Sequence, residues 1–560
     1  MLDLNKIRNT RELAYALGVP LKHLTYLLYA VNSENKYTIF EIPKKSGGTR
    51  KICAPHKELK VLQSELANLI QKHMQQDNLK MYFNHSHAFQ KGKSIFSNAQ
   101  IHRHKKYVYN VDLENYFDSF HFGRITGYFQ KNKDLRLPEK VANMIAQLSC
   151  YKGTLPQGAP SSPAITNLIG NILDIRLLKL AAKYKLNYTR YADDITFSTN
   201  DKYFCKNIKL FHEELLQEIK LAGFALNEKK TRFLYNTSRQ EVTGLIVNQR
   251  LNIKKEFYKN TRAMAEHLYK EGFFTINGVK GSIKQLEGRF AYINQIEKLY
   301  NITSDCVHSI AKLNGKERQY QKFLFYKYFY ANEKPLIVTE GKTDVLYLKA
   351  ALKKYHSEYP ELIELDENGR FVYKISFFKR SKRLRYFFAI SLDGADSMEN
   401  IWYAYIGQQN KFPKYANIFE QYNKNLPNFP VILLYDNELI NKKPLKKILG
   451  KITNTSEITA TISTDFYYNI IKNLYIATMP LPKDKSECEI EDLLGPEIIA
   501  HEIDGKKFNR DANYNKAIEY GKNTLSQYVY MQYKNLDLSG IKKILDILSE
   551  IIRTYKPESK

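Results

Sequence analysis

Residues 191–194 read Tyr-Ala-Asp-Asp inside TRYADDITFST, with apolar-alternating runs on both sides. Such alternation predicts two β-strands joined by a tight turn, which places Asp193 and Asp194 at a hairpin tip. Like charges in one turn repel, so a plain solvated turn gains nothing from the pair. Divalent cations give it a purpose. Carboxylate oxygens suit Mg²⁺, and two metals hold the attacking and leaving oxygens of a phosphoryl transfer. A third acid, Asp112, follows the β-rich run of YVYNVDLENYFDSF, residues 107–120. Two strands bringing Asp112, Asp193 and Asp194 together make a two-metal site, with Asp112 and Asp193 as bridging ligands.

Between these strings lies GTLPQGAPSSPAITNLIGNILD, residues 153–174. Its glycines and prolines predict an irregular loop, and periodic apolar residues from Ala164 predict a helix. A Gly-rich loop opening a helix lets backbone groups approach a nucleotide closely. Upstream, Gly47-Gly48 in IPKKSGGTRKICAP separates two β-rich runs and predicts a further hairpin.

In this order the strings resemble the reverse transcriptase family over roughly residues 30–320. The resemblance implies that Asp112, Asp193 and Asp194 are the catalytic, Mg²⁺-binding acids. It implies that Phe117 gates against the ribose 2′-OH, and that Gln157 touches the bound dNTP. Lys45 and Arg50 would meet the triphosphate, and Lys229 or Lys230 the pyrophosphate, with Lys230 preferred. Two shorter strings are similar to signatures of bacterial retron reverse transcriptases: Asn98 and His102 in SNAQIHRH, and Val242, Thr243 and Gly244 in SRQEVTGLIVN. That narrower resemblance implies recognition of a cognate noncoding RNA (msr-msd). It also implies synthesis of a small DNA (msDNA) joined to that RNA, primed from a guanosine 2′-OH to give a 2′–5′ branch.

The resemblance implies that the elements positioning these residues form an α+β right-hand polymerase. A helical cap is expected over residues 1–30, fingers and palm over 31–250, and a helical thumb and connector over 251–330. The connector ends in ERQYQKFLFYKYFY, whose aromatic stripe reads equally as core or as a nucleic-acid contact.

From residue 335 the character changes. PLIVTEGKTDVLYLKAAL, YFFAISLDGADS and NFPVILLYDNEL each hold a short apolar strand followed by acids. Strands alternating with helices predict a parallel α/β sheet with acids at its carboxyl ends. The set resembles the Toprim fold of topoisomerases, primases and related nucleases, expected over residues 331–500 with a helical extension over 501–560. The resemblance implies Glu340 as general acid/base or metal ligand, and Asp436 and Glu438 as ligands of Mg²⁺ or Mn²⁺. Glu438 departs from the usual Asp at its position. Glu491 and Asp492, in SECEIEDLLG, either complete the site or place favourable negative charge at a helix N-terminus, and Asp344 and Asp393 are lesser candidates. A Toprim nuclease in a retron chain implies an anti-phage effector restrained by the DNA–RNA hybrid and acting on a nucleic-acid substrate.

Charge divides the chain the same way. The net charge is +28, and residues 1–330 carry 52 Lys and Arg against 28 Asp and Glu, whereas 331–560 carry 34 against 30. A basic half rich in tyrosine suits a nucleic-acid hybrid. Five cysteines are scattered without a C-x-x-C, which excludes a zinc module or disulfide framework and fits a reducing bacterial cytoplasm. The N-terminus lacks an apolar h-region and no run reaches membrane-spanning length, so no membrane association is expected; a homo-oligomer is left open. Three alternatives stand beside this reading. They are an intron-type or mobile-element reverse transcriptase, a catalytically silent binding or oligomerisation module in the C-terminal half, and a strand-passage element there.

Overall fold

The two β-rich runs around Gly47-Gly48 pair antiparallel as β1 (Tyr37–Pro43) and β2 (Thr49–Pro55). This is seen in a computed structural model that describes residues 2–44, 47–301, 310–422, 427–439, 443–452, 455–482, 485–511 and 513–557. The chain divides into two compact units, Met1–Lys255 and Glu256–Lys560.

In the first unit the alternating strings become one antiparallel sheet. β3 (Tyr107–Glu114) lies between β5 (Asp194–Thr199) on one side and β6 (Ala225–Leu226) and β7 (Arg232–Tyr235) on the other, and β4 (Asn187–Tyr191) pairs with the outer side of β5. Its buried face includes Val111, Ile195 and Phe197, which share a core with Leu168, Ile169 and Leu173 of helix Ser161–Lys183 and with Phe211 and Leu215 of helix Ile208–Leu221. Helix Ser161–Lys183 begins three residues before the expected Ala164 and admits Pro163 in its first turn, where no intrahelical N–H is required. Helix Lys57–Met74 packs against it. A short hairpin, β8 (Glu241–Val242) and β9 (Leu245–Ile246), follows the sheet.

The second unit contains helices that the sequence assigns to two different regions. Helix Ile283–Asn301 follows a hairpin of β10 (Thr275–Ile276) and β11 (Val279–Lys280). Its Phe290 stacks on Tyr320 at 5.4 Å, and its Glu287 pairs with Lys327 and Arg383. Tyr269 meets Tyr326 at 4.9 Å and Phe419 at 5.1 Å. Tyr320, Phe323, Leu324 and Phe325 are buried, so the aromatic stripe of ERQYQKFLFYKYFY is core.

The rest of this unit is built on a five-stranded sheet. β12 (Leu336–Thr339) leads into helix Lys342–Lys354, then a hairpin of β13 (Ile363–Leu365) and β14 (Phe371–Tyr373), then β15 (Ser376–Phe377), β16 (Val431–Tyr435), β17 (Tyr467–Ile471) and β18 (Leu474–Thr478). Spatial order is β15-β12-β16-β18-β17, parallel except for the antiparallel edge strand β17. β12 therefore has a later strand on each side, and the chain reverses direction of travel across the sheet between β12 and β16. Crevices at such a reversal, beyond the strands' carboxyl ends, are where parallel sheets bind ligands. Helices Lys522–Met531 and Ser539–Thr554 pack on helix Lys342–Lys354 and supply Leu525, Val529, Ile541 and Leu545 to the same core. The segment expected as an extension is thus integral to this unit. Among the described residues no helix is long and apolar enough to cross a membrane.

Candidate functional site

β4 and β5 are joined by Ala192 and Asp193 alone, and Ala192 takes a left-handed φ of +56°. That conformation costs a non-glycine residue roughly 1 kcal/mol, but it lets a two-residue turn present Asp193. Across the sheet Asp112 of β3 lies directly opposite Asp194, and Leu113 N–H donates to the Asp193 carbonyl at 3.0 Å. The three carboxylates therefore share one sheet end.

Their electrostatics follow from crowding. Burial raises the Asp193 carboxyl, and the Asp112 charge raises it further, against opposition from Lys230 and Arg50. Burial, then Asp193 and Asp112, push Asp194 up to about 7. One cation already stands here, since Lys230 Nζ lies 2.8 Å from Asp112 Oδ1. The remaining uncompensated charge on Asp193 and Asp194 is what a divalent cation would balance, and the hard oxygen set fits Mg²⁺. No group of three or more His, Cys, Asp or Glu among the described residues converges into a ready-made cation cage. Mg²⁺ does not require one, because it commonly binds one or two carboxylates and keeps several waters.

The surrounding residues are held by identifiable contacts. Cys53 N–H in β2 donates to the Gln157 carbonyl at 2.8 Å. Beside it Gly158 has φ +117°, and a Cβ there would fall 2.8 Å from the Cys53 carbonyl oxygen, so this close approach requires glycine. Phe117 is half-buried and meets the Tyr116 ring edge-on at 5.7 Å. Arg50 is exposed on β2, and Lys45 lies outside the described residues.

Asn98 and His102 require a correction. Both are buried, and His102 bonds Ser198 Oγ and Thr189 Oγ1, each at 2.7 Å, behind β4 and β5. Their side chains face the protein interior, so direct contact with RNA does not fit them, and bracing the sheet does. Val242 is buried too, while Thr243 and Gly244 form the β8–β9 turn with φ +46° and +84°. Thr243 Oγ1 donates to the Ile95 carbonyl at 3.4 Å, which brings the two short strings together.

Sequence reasoning passed over one feature. Arg190, just before the turn, and Asp174, in helix Ser161–Lys183, form a fully buried ion pair. An Arg in TRYADD and an Asp in NILD read locally as solvent-facing polar positions, so only the tertiary structure reveals the pairing.

The second unit gathers acids at the reversal between β12 and β16. Glu340 follows β12, and its Oε1 accepts from the backbone N–H of Asp436, which follows β16, at 2.9 Å. Reciprocal backbone bonds between Asn437 and Cys488 lay the segment bearing Glu491 beside them. Burial pushes Glu340 up to about 7 and Asp436 well above the usual carboxylate range, and each is raised further by neighbouring acids. Asp344 accepts from Gly341 N–H and is pushed to about 6, chiefly by burial. Asp436 Oδ1 and Glu491 Oε1 are buried without a hydrogen-bond partner, an arrangement that a hard cation would satisfy. Glu438 is instead held by Lys443 at 2.6 Å, and the other oxygen of Glu491 by Lys522 at 3.2 Å. Glu491 and Asp492 both lie in the first turn of a 3₁₀ helix, Ile490–Leu493, where Asp492 accepts from Glu489 N–H. Asp393 is exposed.

With this geometry in place, comparisons with known proteins are specific for the first half of the chain. A family model described as "Reverse transcriptase (RNA-dependent DNA polymerase)" matches residues 42–254. The Retron Ec86 reverse transcriptase of Escherichia coli is 32% identical over 311 residues, covering 53% of this chain and 92% of the relative. The Retron Mx65 reverse transcriptase of Myxococcus xanthus is 30% identical over 308 residues, covering 52% and 68%. Among solved structures, apo telomerase from Candida tropicalis, truncated from its C-terminal domain, aligns over 42% of this chain and 61% of that one. It is 15% identical with a TM-score of 0.29, which carries no structural argument.

Proposed function

Because the chain belongs to the retron reverse transcriptases, and so is an RNA-directed DNA polymerase, we propose that it copies a cognate noncoding RNA into branched msDNA and carries a second, nuclease activity in its C-terminal unit. The observation that carries the polymerase assignment to residues is the register of Asp112 opposite Asp194, with Asp193 in the turn between β4 and β5. These three would hold Mg²⁺, which supplies charge stabilisation to the attacking 3′-oxygen and the departing pyrophosphate. Lys230 pairs with Asp112 at 2.8 Å, and from the same position its ammonium can meet the pyrophosphate. Gly158 and Gln157 set the floor of the nucleotide site against β2, and Arg50 offers a cation to the triphosphate. In this reading the Phe117 ring, which meets Tyr116 edge-on, is the gate against a ribose 2′-OH. Extension of a DNA primer on an RNA template, active in the wild type and abolished in Asp193→Asn, tests this assignment.

For the second unit we propose a Toprim-like, Mg²⁺- or Mn²⁺-dependent nuclease built on Glu340, Asp436 and Glu491, with Asp344 supporting them. Support comes from the unpartnered oxygens of Asp436 and Glu491 at the crevice between β12 and β16. In this reading the bound DNA–RNA hybrid restrains the nuclease until phage infection disturbs it. Metal-dependent cleavage of nucleic acid by the full chain, lost in Glu340→Gln, tests the assignment. A silent binding module is the second reading, favoured by the lysines that occupy Glu438 and Glu491. It predicts no cleavage by the wild type.

A further inference from the structure

We infer that Arg190, Asp174 and Tyr116 are positioning residues that lock the aspartate turn to the loop carrying Phe117. This rests on the assignment of Asp112, Asp193 and Asp194 to DNA synthesis. All three nitrogens of the Arg190 guanidinium donate. Nε and Nη2 each donate to Asp174 at 2.7 Å, and Nη1 donates to Tyr116 Oη at 2.8 Å and to the Ala192 carbonyl at 3.3 Å. Tyr188 Oη donates to Asp174 Oδ1 at 2.6 Å and completes the carboxylate's shell. Tyr116 Oη donates in turn to the Thr166 carbonyl at 3.3 Å, on the helix that follows the Pro-Gln-Gly loop.

One guanidinium thus touches the turn presenting Asp193 and the residue next to Phe117, and through Tyr116 the helix behind the nucleotide loop. Gly170 makes room for it, since a Cβ there would approach Arg190 Nη2 to 3.0 Å and Tyr116 Oη to 3.3 Å. Stability alone does not account for the arrangement. The Arg190 and Asp174 side chains are 0% and 1% exposed, and well-packed apolar residues in place of such a pair are often as stable or more so. What apolar residues cannot reproduce is a planar set of donors with fixed directions, which a lysine also lacks. Displacing reacting groups by an ångström can cost on the order of a hundredfold in rate.

The test compares Tyr116→Phe, which deletes one hydroxyl, with the apolar double substitution Arg190→Met/Asp174→Leu. Both are assayed in the full chain for primer extension, Mg²⁺ dependence, dNTP-over-rNTP preference and melting temperature. The expected result for both is a melting temperature close to wild type and a fall in kcat on the order of tenfold. The Mg²⁺ concentration at half-maximal rate should rise, and the preference against ribonucleotides should drop. Arg190→Lys should not rescue, because it keeps the charge and loses the fork. A folded variant of either kind with wild-type kcat, Mg²⁺ dependence and nucleotide preference overturns the inference. If the double substitution does not fold, Tyr116→Phe decides alone. DNA synthesis that persists in Asp193→Asn refutes the underlying site assignment instead, and the inference falls with it.

Discussion

Lys230 Nζ stands 2.8 Å from Asp112 Oδ1. The ammonium comes from a single 3₁₀ turn, Glu228–Lys230, that follows β6 and is set against β3 when Asn227 N–H donates to the Asp112 carbonyl. It lowers the pKa of both Asp193 and Asp194, so removing it favours their protonated forms. Lys230→Met should therefore move the acidic limb of the rate–pH profile to higher pH and slow synthesis on the order of tenfold or more. Lys229→Met should do neither. Primer extension between pH 6 and 9 at saturating Mg²⁺ checks this.

His102 predicts a stability effect of defined sign. Burial pushes it down to about 3, from an ordinary value near 6.5. A histidine depressed in the folded state takes up its proton preferentially in the unfolded chain. Its contribution is unchanged above pH 6.5, and stability is lost as pH falls from 6.5 toward 3, by up to roughly 1.4 kcal/mol per pH unit. His87, pushed to about 4, adds to the same trend. Urea unfolding of His102→Gln should show a shallower decline between pH 6.5 and 5 than wild type. An identical slope would remove His102 from the account.

Glu340 predicts the converse in the second unit. Its carboxyl is raised to about 7, so the stability it allows is present below about 4.5 and lost as pH rises through 7. Glutamine keeps an oxygen to accept from Asp436 N–H and removes the charge. Glu340→Gln should raise the melting temperature at pH 8, leave it nearly unchanged at pH 4.5, and abolish metal-dependent cleavage. Calorimetry at both pH values separates the electrostatic effect from a packing effect, which would appear at both.

Gly158 gives a steric prediction. Alanine there would put a methyl 2.8 Å from the Cys53 carbonyl oxygen while holding φ at +117°. Gly158→Ala should push the loop away from β2, costing about 1–3 kcal/mol and raising the dNTP KM. Gly153→Ala, which carries backbone strain of its own at φ +88° but whose Cβ meets nothing within 4 Å, should perturb KM far less.

The acids of the first unit were legible because each sits in a local string whose alternation fixes strand and turn. Asp112 and Asp194 fall opposite one another as that alternation implies. The Glu340 and Asp436 strands were legible as continuous apolar runs, whereas the strand expected in YFFAISLDGADS is absent, its first residues ending the helix Lys382–Phe388. What escaped depends on which faces meet. The Asn98 and His102 signature reads as a surface for RNA, yet helix Ile95–Ile101 packs its inner face on the sheet, and burial cannot be read from a seven-residue string. Arg190 and Asp174 are sixteen positions apart on different elements, so no local period joins them. Residues 256–301 read as continuous with the polymerase. Their aromatic and charged contacts to Tyr320, Lys327, Arg383 and Phe419 place them in the second unit instead, a consequence of side-chain matching over a long sequence separation.

If this chain makes an RNA-linked DNA through Asp112, Asp193 and Asp194, as proposed, the product should stay with the protein. The most direct test is to purify it from cells carrying its native locus and examine the bound nucleic acid. The expected product is a short DNA that survives RNase, is destroyed by DNase, and carries a branched ribonucleotide remnant. It should copurify with the wild type and be absent from Asp193→Asn. A wild-type protein that extends primed RNA in vitro yet carries no such DNA would contradict the claim.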